Sequence, residues 1–273
     1  MNKDHASLRV GLSSTSVTVL RTSGWLRRHR EVVADYPIDA SSTTQLRADL
    51  ERSLSAARCT GLPTVVVLAD GWTRLFLVAP PLHTTCLEDC KAAATRRFQL
   101  LYGDTPAQWL IDADWDANQP FLACAIPRAI PTTLQQVANA HGLKVIGIAP
   151  QFIVGWNQWR TTQKSDIWFG TLHLNDLTLG AVHQGRLVAV RHLQLTPAEL
   201  NDPRCFMDQI KREALRLSLS APISVQLCGH LPQPWQNRNP GDIAIMTPKF
   251  AMPAVWAGAS SPGADLAITG VAP

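Results

Sequence analysis

Apolar and polar residues alternate from the start of the chain. Leu8, Val10 and Leu12 are separated by Arg9 and Gly11, and Val17-Thr18-Val19-Leu20 follows four small hydroxyl residues, Ser13 to Ser16. A period of two marks a half-buried strand. Strands are therefore predicted over 8–12 and 16–21, with Ser23-Gly24 turning the chain into a third over 25–36. The period then changes. Leu46, Leu50 and Leu54 recur every four residues, which predicts a helix over 43–58. Thr64-Val-Val-Val-Leu68 is continuously apolar, as in a strand buried on both faces.

A shorter set of elements follows. A strand is expected over 73–79, stopped by Pro80-Pro81, and a helix over 85–101 with Leu87, Cys90, Ala94, Phe98 and Leu101 on one stripe. Segments 108–115 and 120–126 read as a hairpin, 129–141 as a helix ended by Gly142, 143–148 as a strand and 152–159 as a connecting helix. Then the opening pattern returns. Segments 166–173, 177–183 and 186–195 form a second three-strand meander, followed by a helix over 197–218 and a strand over 223–227. The last 40 residues are rich in proline and glycine, with one short helix expected over 264–271.

Val17 to Leu20 and Leu177 to Leu179 lie about 160 residues apart, and each meander precedes an amphipathic helix and a buried strand. Two runs of β-β-β-α-β predict an α/β protein built by duplication.

Composition narrows the function. Hydrophobic residues make up 46% and charged residues 17%, which excludes a disordered chain. The excess of 25 basic over 21 acidic residues is too small and scattered to argue for nucleic acid. The densest basic run, Arg27-Arg28-His29-Arg30, suits the solvated end of a hairpin or a phosphate patch. The six cysteines sit mostly in apolar settings, as expected of free thiols in a reducing compartment. The opening residues lack a leader pattern, and no apolar run is long enough for a transmembrane helix. The expectation is a cytoplasmic protein that does not insert into the membrane itself.

Gly-x-Ser-x-Gly, His-Glu-x-x-His and P-loop patterns are absent, and no histidine pairs by spacing with Ser13 or Ser14. His83, Cys86 and Cys90 have helical metal-ligand spacing but no fourth ligand, so core and cap roles are expected. Asp112, Asp114 and Asp116 alternate along one strand, either as a cation site or, as expected here, as the solvated face of the hairpin.

Three segments carry a family resemblance: Arg9-Val-Gly-Leu-Ser-Ser-Thr-Ser-Val-Thr-Val-Leu20, Ile167-Trp-Phe-Gly-Thr-Leu-His-Leu-Asn-Asp-Leu-Thr-Leu179, and Pro262-Gly-Ala-Asp-Leu-Ala-Ile-Thr-Gly-Val-Ala272. With the duplicated layout, they resemble the actin, sugar-kinase and heat-shock ATPase superfamily, and within it the PilM and GspL-type assembly proteins of type IV pili and type II secretion. The resemblance implies an actin-like, ribonuclease H-like duplicated fold of two lobes. The first lobe would span 1–150 with a small α/β insert at about 73–126, and the second 151–273.

The departures from the family pattern bear on activity. The first aspartate of the nucleotide site aligns with Gly11, its glycine with Ser13 and its lysine with Thr18. In the second half the aspartate aligns with Phe169 and the glycine with Thr171; sliding the frame by one offers only Trp168 or Gly170. Asp166 stands three residues early, and the adenosine turn is reduced to Cys228-Gly229-His230. A Mg²⁺–polyphosphate complex needs acidic ligands, so the expectation is a non-catalytic protein without a cofactor. The alternative is an active ATPase of the same family binding ATP with magnesium, its phosphates held by the small-residue loop 13–16. A small-molecule kinase is weaker, because neither half supplies a catalytic aspartate.

The resemblance also implies a partner: a bitopic, PilN-like inner-membrane protein whose short cytoplasmic tail enters a groove beside the insert. The chain would then sit peripherally at the inner membrane, with a cytoplasmic motor ATPase as a further partner. Trp72 and Arg74, at the seam where the insert begins, are the expected contacts for the tail; the other reading of Trp72 is ordinary packing at a junction.

Overall fold

The computed structural model describes residues 6–24, 29–40, 42–57, 59–82, 86–160, 167–236, 243–246 and 261–270. The chain opens with β1 (Ser7–Leu12), β2 (Ser16–Ser23), β3 (His29–Pro37), α1 (Thr43–Ala57) and β4 (Pro63–Leu68). After a short 3-10 turn at Asp70–Trp72 come β5 (Arg74–Val78), α2 (Leu87–Tyr102), β6 (Trp109–Ala113) and β7 (Phe121–Pro127). Next are α3 (Ala129–Ala140), β8 (Lys144–Pro150) and α4 (Gln151–Trp159). The second half contains β9 (Trp168–His173), β10 (Asp176–His183), β11 (Arg186–Gln194), α5 (Pro197–Asn201), α6 (Pro203–Arg216), β12 (Ser224–Gly229), α7 (Gln233–Gln236), β13 (Ala244–Met246) and α8 (Pro262–Ile268).

Packing divides the chain into two compact units. One comprises Met1–Trp72, Ala129–Gln158 and Lys249–Pro273; the other comprises Thr73–Arg128 and Trp159–Pro248. These cut the chain differently from the expected boundary at 150. The reason lies in two local contacts. The helix α8 packs on β1 and β2, far back in the sequence, and β5 of the insert packs beside β11.

The first unit holds a five-stranded sheet in the order β3-β2-β1-β4-β8, and the second one in the order β11-β10-β9-β12-β13. In each, the first three strands form an antiparallel meander and the remaining two add in parallel. The registers also match. Gly11 faces Thr18 across the first hairpin, and Thr171 faces Thr178 across the second. The predicted duplication is thus present strand by strand. The second unit also carries the sheet β5-β7-β6, covered by α2 through Phe98, Ala94 and Cys90. There the rings of Phe76, Tyr102 and Trp109 lie 5.2–6.0 Å from one another or from Phe98.

Local chemistry sets the element ends. Gly103 (φ 70°) and Gly142 (φ 68°) end α2 and α3 in the left-handed region that glycine tolerates. The single helix expected over 197–218 is two helices. Asp202 precedes a proline and is extended (φ −117°, ψ 105°), so α5 stops there and α6 starts on Pro203, capped by the Asp202 carboxylate. The proline-rich tail also hides a third parallel strand, β13 beside β12, that the sequence reading did not anticipate.

Candidate functional site

In the first unit, the turn between β1 and β2 is closed by its own hydroxyls. Ser13 Oγ accepts from the backbone N–H groups of Thr15 (3.1 Å) and Ser16 (2.9 Å). Ser16 is buried and its Oγ accepts the Gly263 N–H at 2.7 Å. Thr18 Oγ1 and Ser261 Oγ each donate to Asp35 Oδ1 at 2.6 Å. Ser261 is also the N-cap of α8. The hydroxyls of Ser13, Ser16 and Thr18, three of the small polar side chains lining this hairpin, are therefore engaged within the protein.

The helix α8 is seated on β1 at backbone distance. A Cβ added to Gly11 would lie 1.9 Å from the Gly263 carbonyl oxygen and 2.6 Å from the Ala267 nitrogen. One added to Gly263 would lie 2.7 Å from Thr18 Oγ1. Two glycines face each other because nothing larger fits. The far end of α8 is held by Arg9, which donates through Nε to the Ala267 carbonyl at 2.8 Å and through Nη2 to that of Thr269. Burial lowers the Arg9 pKa to about 10, with a smaller push from Arg30, and the guanidinium stays charged at neutral pH. Leu266, Ala267 and Ile268 are buried beneath.

The second hairpin corrects the sequence alignment. The shared register places Thr171 where Gly11 stands, and Phe169 where Arg9 stands. The motif frame that put the aspartate position on Phe169 is thus two residues early. Neither register position carries an acid, and both Phe169 and Thr171 are fully buried. The residue matching Ser13 is His173. It is 4% exposed, its Nε2 has no hydrogen-bond partner among the described residues, and burial lowers its pKa to about 4 against a smaller opposing effect of Asp176. Gly229, at φ 117°, has its Cβ position 1.9 Å from the Leu172 carbonyl oxygen, so this turn is restricted to glycine.

The other sequence candidates fall as follows. Trp72 is half-buried in the first unit against the cluster of Val67, Ala69 and Leu266. Arg74 belongs to the second unit, its guanidinium 5.6 Å and 5.8 Å from the Tyr102 and Trp109 ring centres. Cys86 is exposed at the start of α2 while Cys90 is buried in the insert core, so the two do not share a face; His83 lies outside the described residues. The three aspartates do not form a strand face, because β6 ends at Ala113. Asp112 accepts from Trp115 Nε1 and its own neighbour Ala113, while Asp116 caps Asn118 and Gln119, which lowers its pKa. Asp114 is exposed, 3.7 Å from Arg160. Among the described residues, no three His, Cys, Asp or Glu side chains converge as a metal site, and no helix is long and apolar enough to cross a membrane.

Sequence reasoning missed Arg9, Gly263 and Ser261 as partners of the hairpin. The only trace was a pair of glycines, Gly11 and Gly263, in otherwise well-formed elements.

No family model matches the chain, and no curated protein does. Solved structures do. A Bacteroides thetaiotaomicron protein described as having an actin-like ATPase fold and unknown function matches with a TM-score of 0.61, at 11% identity over 90% of this chain and 93% of that one. The chain has the actin-like ATPase fold. Two further matches carry names. The PilM-PilN type IV pilus biogenesis complex matches at TM-score 0.60 and 14% identity, over 98% of both chains. The cytoplasmic domain of EpsL, an inner membrane component of the type II secretion system of Vibrio cholerae, matches at TM-score 0.55 and 12% identity, over 84% of both.

Proposed function

We propose that this actin-like chain is a PilM/GspL-like, non-catalytic scaffold at the cytoplasmic face of a type IV pilus or type II secretion assembly platform. The observation that carries the non-catalytic part is the seat of α8 on Gly11. The resemblance puts the metal-binding carboxylate there, and the helix backbone leaves no room for a Cβ. The hydroxyls of Ser13, Ser16 and Thr18 are spent on α8, Asp35 and the turn itself, which supports the non-catalytic reading over the active ATPase. The platform part is supported by the likeness, over nearly the full chain, to structures described as a pilus biogenesis complex and a secretion component.

On this reading the chain reaches the inner membrane through a bitopic, PilN-like partner and relays events from a cytoplasmic motor ATPase to it. Trp72 of the first unit and Arg74 of the second are the residues proposed, each by itself, to contact the partner's short cytoplasmic tail. Liposome flotation tests this. The purified chain should stay at the bottom of the gradient with vesicles containing phosphatidylglycerol, and should float when the vesicles carry the full-length partner. Flotation without the partner, or failure to float with it, would contradict the reading. If flotation is retained in Trp72→Ala, the scaffold role stands and the docking surface lies elsewhere.

A further inference from the structure

Within the second unit, the helix α2 carries two stripes. Cys90, Ala94 and Phe98 face the insert core. Ala93, Arg96, Arg97 and Leu100 form a second row at i, i+3, i+4 and i+7, which is one face of a helix. This row is one wall of a groove of about 620 Å³. Leu77 and Val78 of β5 lie along it, and Arg186 and Val188 at the start of β11 form the opposite wall. Leu100 is 72% exposed and Val188 38%, so apolar side chains stand open to solvent here.

Among the described residues, no carboxylate lines the groove. The guanidinium groups of Arg96, Arg97 and Arg186 make no ion pair or hydrogen bond among the described residues, unlike Arg47, Arg52, Arg191 and Arg216 elsewhere, each paired with an acid. Asp116, whose pKa Arg186 helps to lower, is already tied to Asn118 and Gln119. Three arginines without an ion pair or hydrogen bond among the described residues, set among apolar side chains, call for a ligand with carboxylates and apolar groups together, since Arg binds carboxylates in a fixed, bidentate geometry.

The shape favours a chain over a point anion. The stripe from Ala93 to Leu100 runs about 10 Å along α2 at roughly 1.5 Å per residue, the reach of three to four residues of extended peptide. The arginines sit between its apolar ends instead of converging on one spot. The opposite wall, β11, pairs with β10 and packs beside β5. A planar membrane surface meets none of these features, because the apolar wall is concave.

We propose that this groove binds an extended acidic segment of a partner protein, in which Asp or Glu alternates with leucine- or valine-like side chains. The site lies within the second unit and does not rest on the scaffold reading.

The test uses the full chain and a defined set of fluorescent octapeptides in which acidic and branched apolar residues alternate, with a matched set carrying lysine for every acid. Binding is followed by fluorescence anisotropy. The acidic set should contain members that saturate, weaken with added salt and lose at least tenfold in affinity in Arg97→Glu and in Arg186→Glu. Arg204→Glu, an equal charge change on α6, should leave them unchanged, and thermal melting should confirm that all three variants fold. The same variants are tested for flotation with phosphatidylglycerol vesicles and for self-association by light scattering. The proposal is overturned if no acidic peptide saturates, if the lysine set binds equally well, or if Arg97→Glu and Arg186→Glu leave affinity unchanged. It is also overturned if the two reversals abolish vesicle binding or a dimer while no peptide binds, which would assign the groove to anionic lipid or to a second copy of the chain.

Discussion

The glycine pair between β1 and α8 makes a quantitative prediction. Gly11 has an ordinary strand conformation, so Gly11→Ala on an open strand would stabilise the fold by about 0.5–1 kcal/mol through the entropy of the unfolded chain. Here the new Cβ would stand 1.9 Å from a carbonyl oxygen and 2.6 Å from a backbone nitrogen. Neither atom is the end of a flexible side chain, so α8 itself must retreat. Overpacking of this kind costs about 1–3 kcal/mol when neighbours shift slightly. If α8 leaves its seat, Leu266 and Ile268 lose roughly 2 kcal/mol each of burial and the two buried alanines, Ala264 and Ala267, about 0.8 each. The two bounds place Gly11→Ala at about 1–5 kcal/mol of destabilisation. Gly147 on β8 is the control: nothing lies within 4 Å of its Cβ position, and Gly147→Ala should be neutral or stabilising. Urea unfolding followed by tryptophan fluorescence measures both. A Gly11→Ala midpoint equal to that of the wild type, or above it, would refute the seating of α8 on Gly11.

Replacing Arg9 by Met removes the donor that closes the last carbonyls of α8 and should cost about 1–3 kcal/mol, read by the same unfolding assay and by faster proteolysis between 261 and 270. His173 has a folded pKa of about 4 against 6.5 when unfolded, so its contribution to stability is fully present above pH 6.5 and is lost as pH falls from 6.5 to 4. That amounts to about 3 kcal/mol over the window; His173→Leu should flatten the stability profile between pH 6.5 and 4 relative to the wild type. Gly229→Ala, at φ 117° with a carbonyl 1.9 Å from the Cβ position, should destabilise the β12 turn by more than about 1 kcal/mol in urea unfolding.

Much of this fold is written in local periodicity. The alternation of Leu8, Val10 and Leu12 and the apolar run 64–68 place β1 and β4, and the return of the pattern near 166 announces the second sheet. What local pattern does not carry is contact between distant residues. The seat of α8 joins Arg9 to Ala267 across 258 positions, and nothing in either segment alone names the other. The same limit misplaced the second hairpin. A frame matched to a motif put Phe169 at the acidic position, whereas the strand register, a pairwise property, puts Thr171 there. The break at Asp202 was legible, because Pro203 forbids its neighbour a helical conformation, but the apolar spacing of Phe206, Ile210 and Ala214 drew the helix across it. The arginine stripe of α2 has no distinguishing mark in the sequence, and only β11 opposite makes it the wall of a groove.

On the proposed reading, α8 closes the position where a nucleotide would bind this actin-like fold. Calorimetric titration of the purified chain with Mg-ATP tests it most directly. The closed hairpin predicts no saturable heat up to roughly 1 mM nucleotide, a binding free energy weaker than about −4 kcal/mol. Saturable binding at micromolar concentration, dependent on Mg²⁺ and weakened by Ser13→Ala or Thr18→Val, would contradict it.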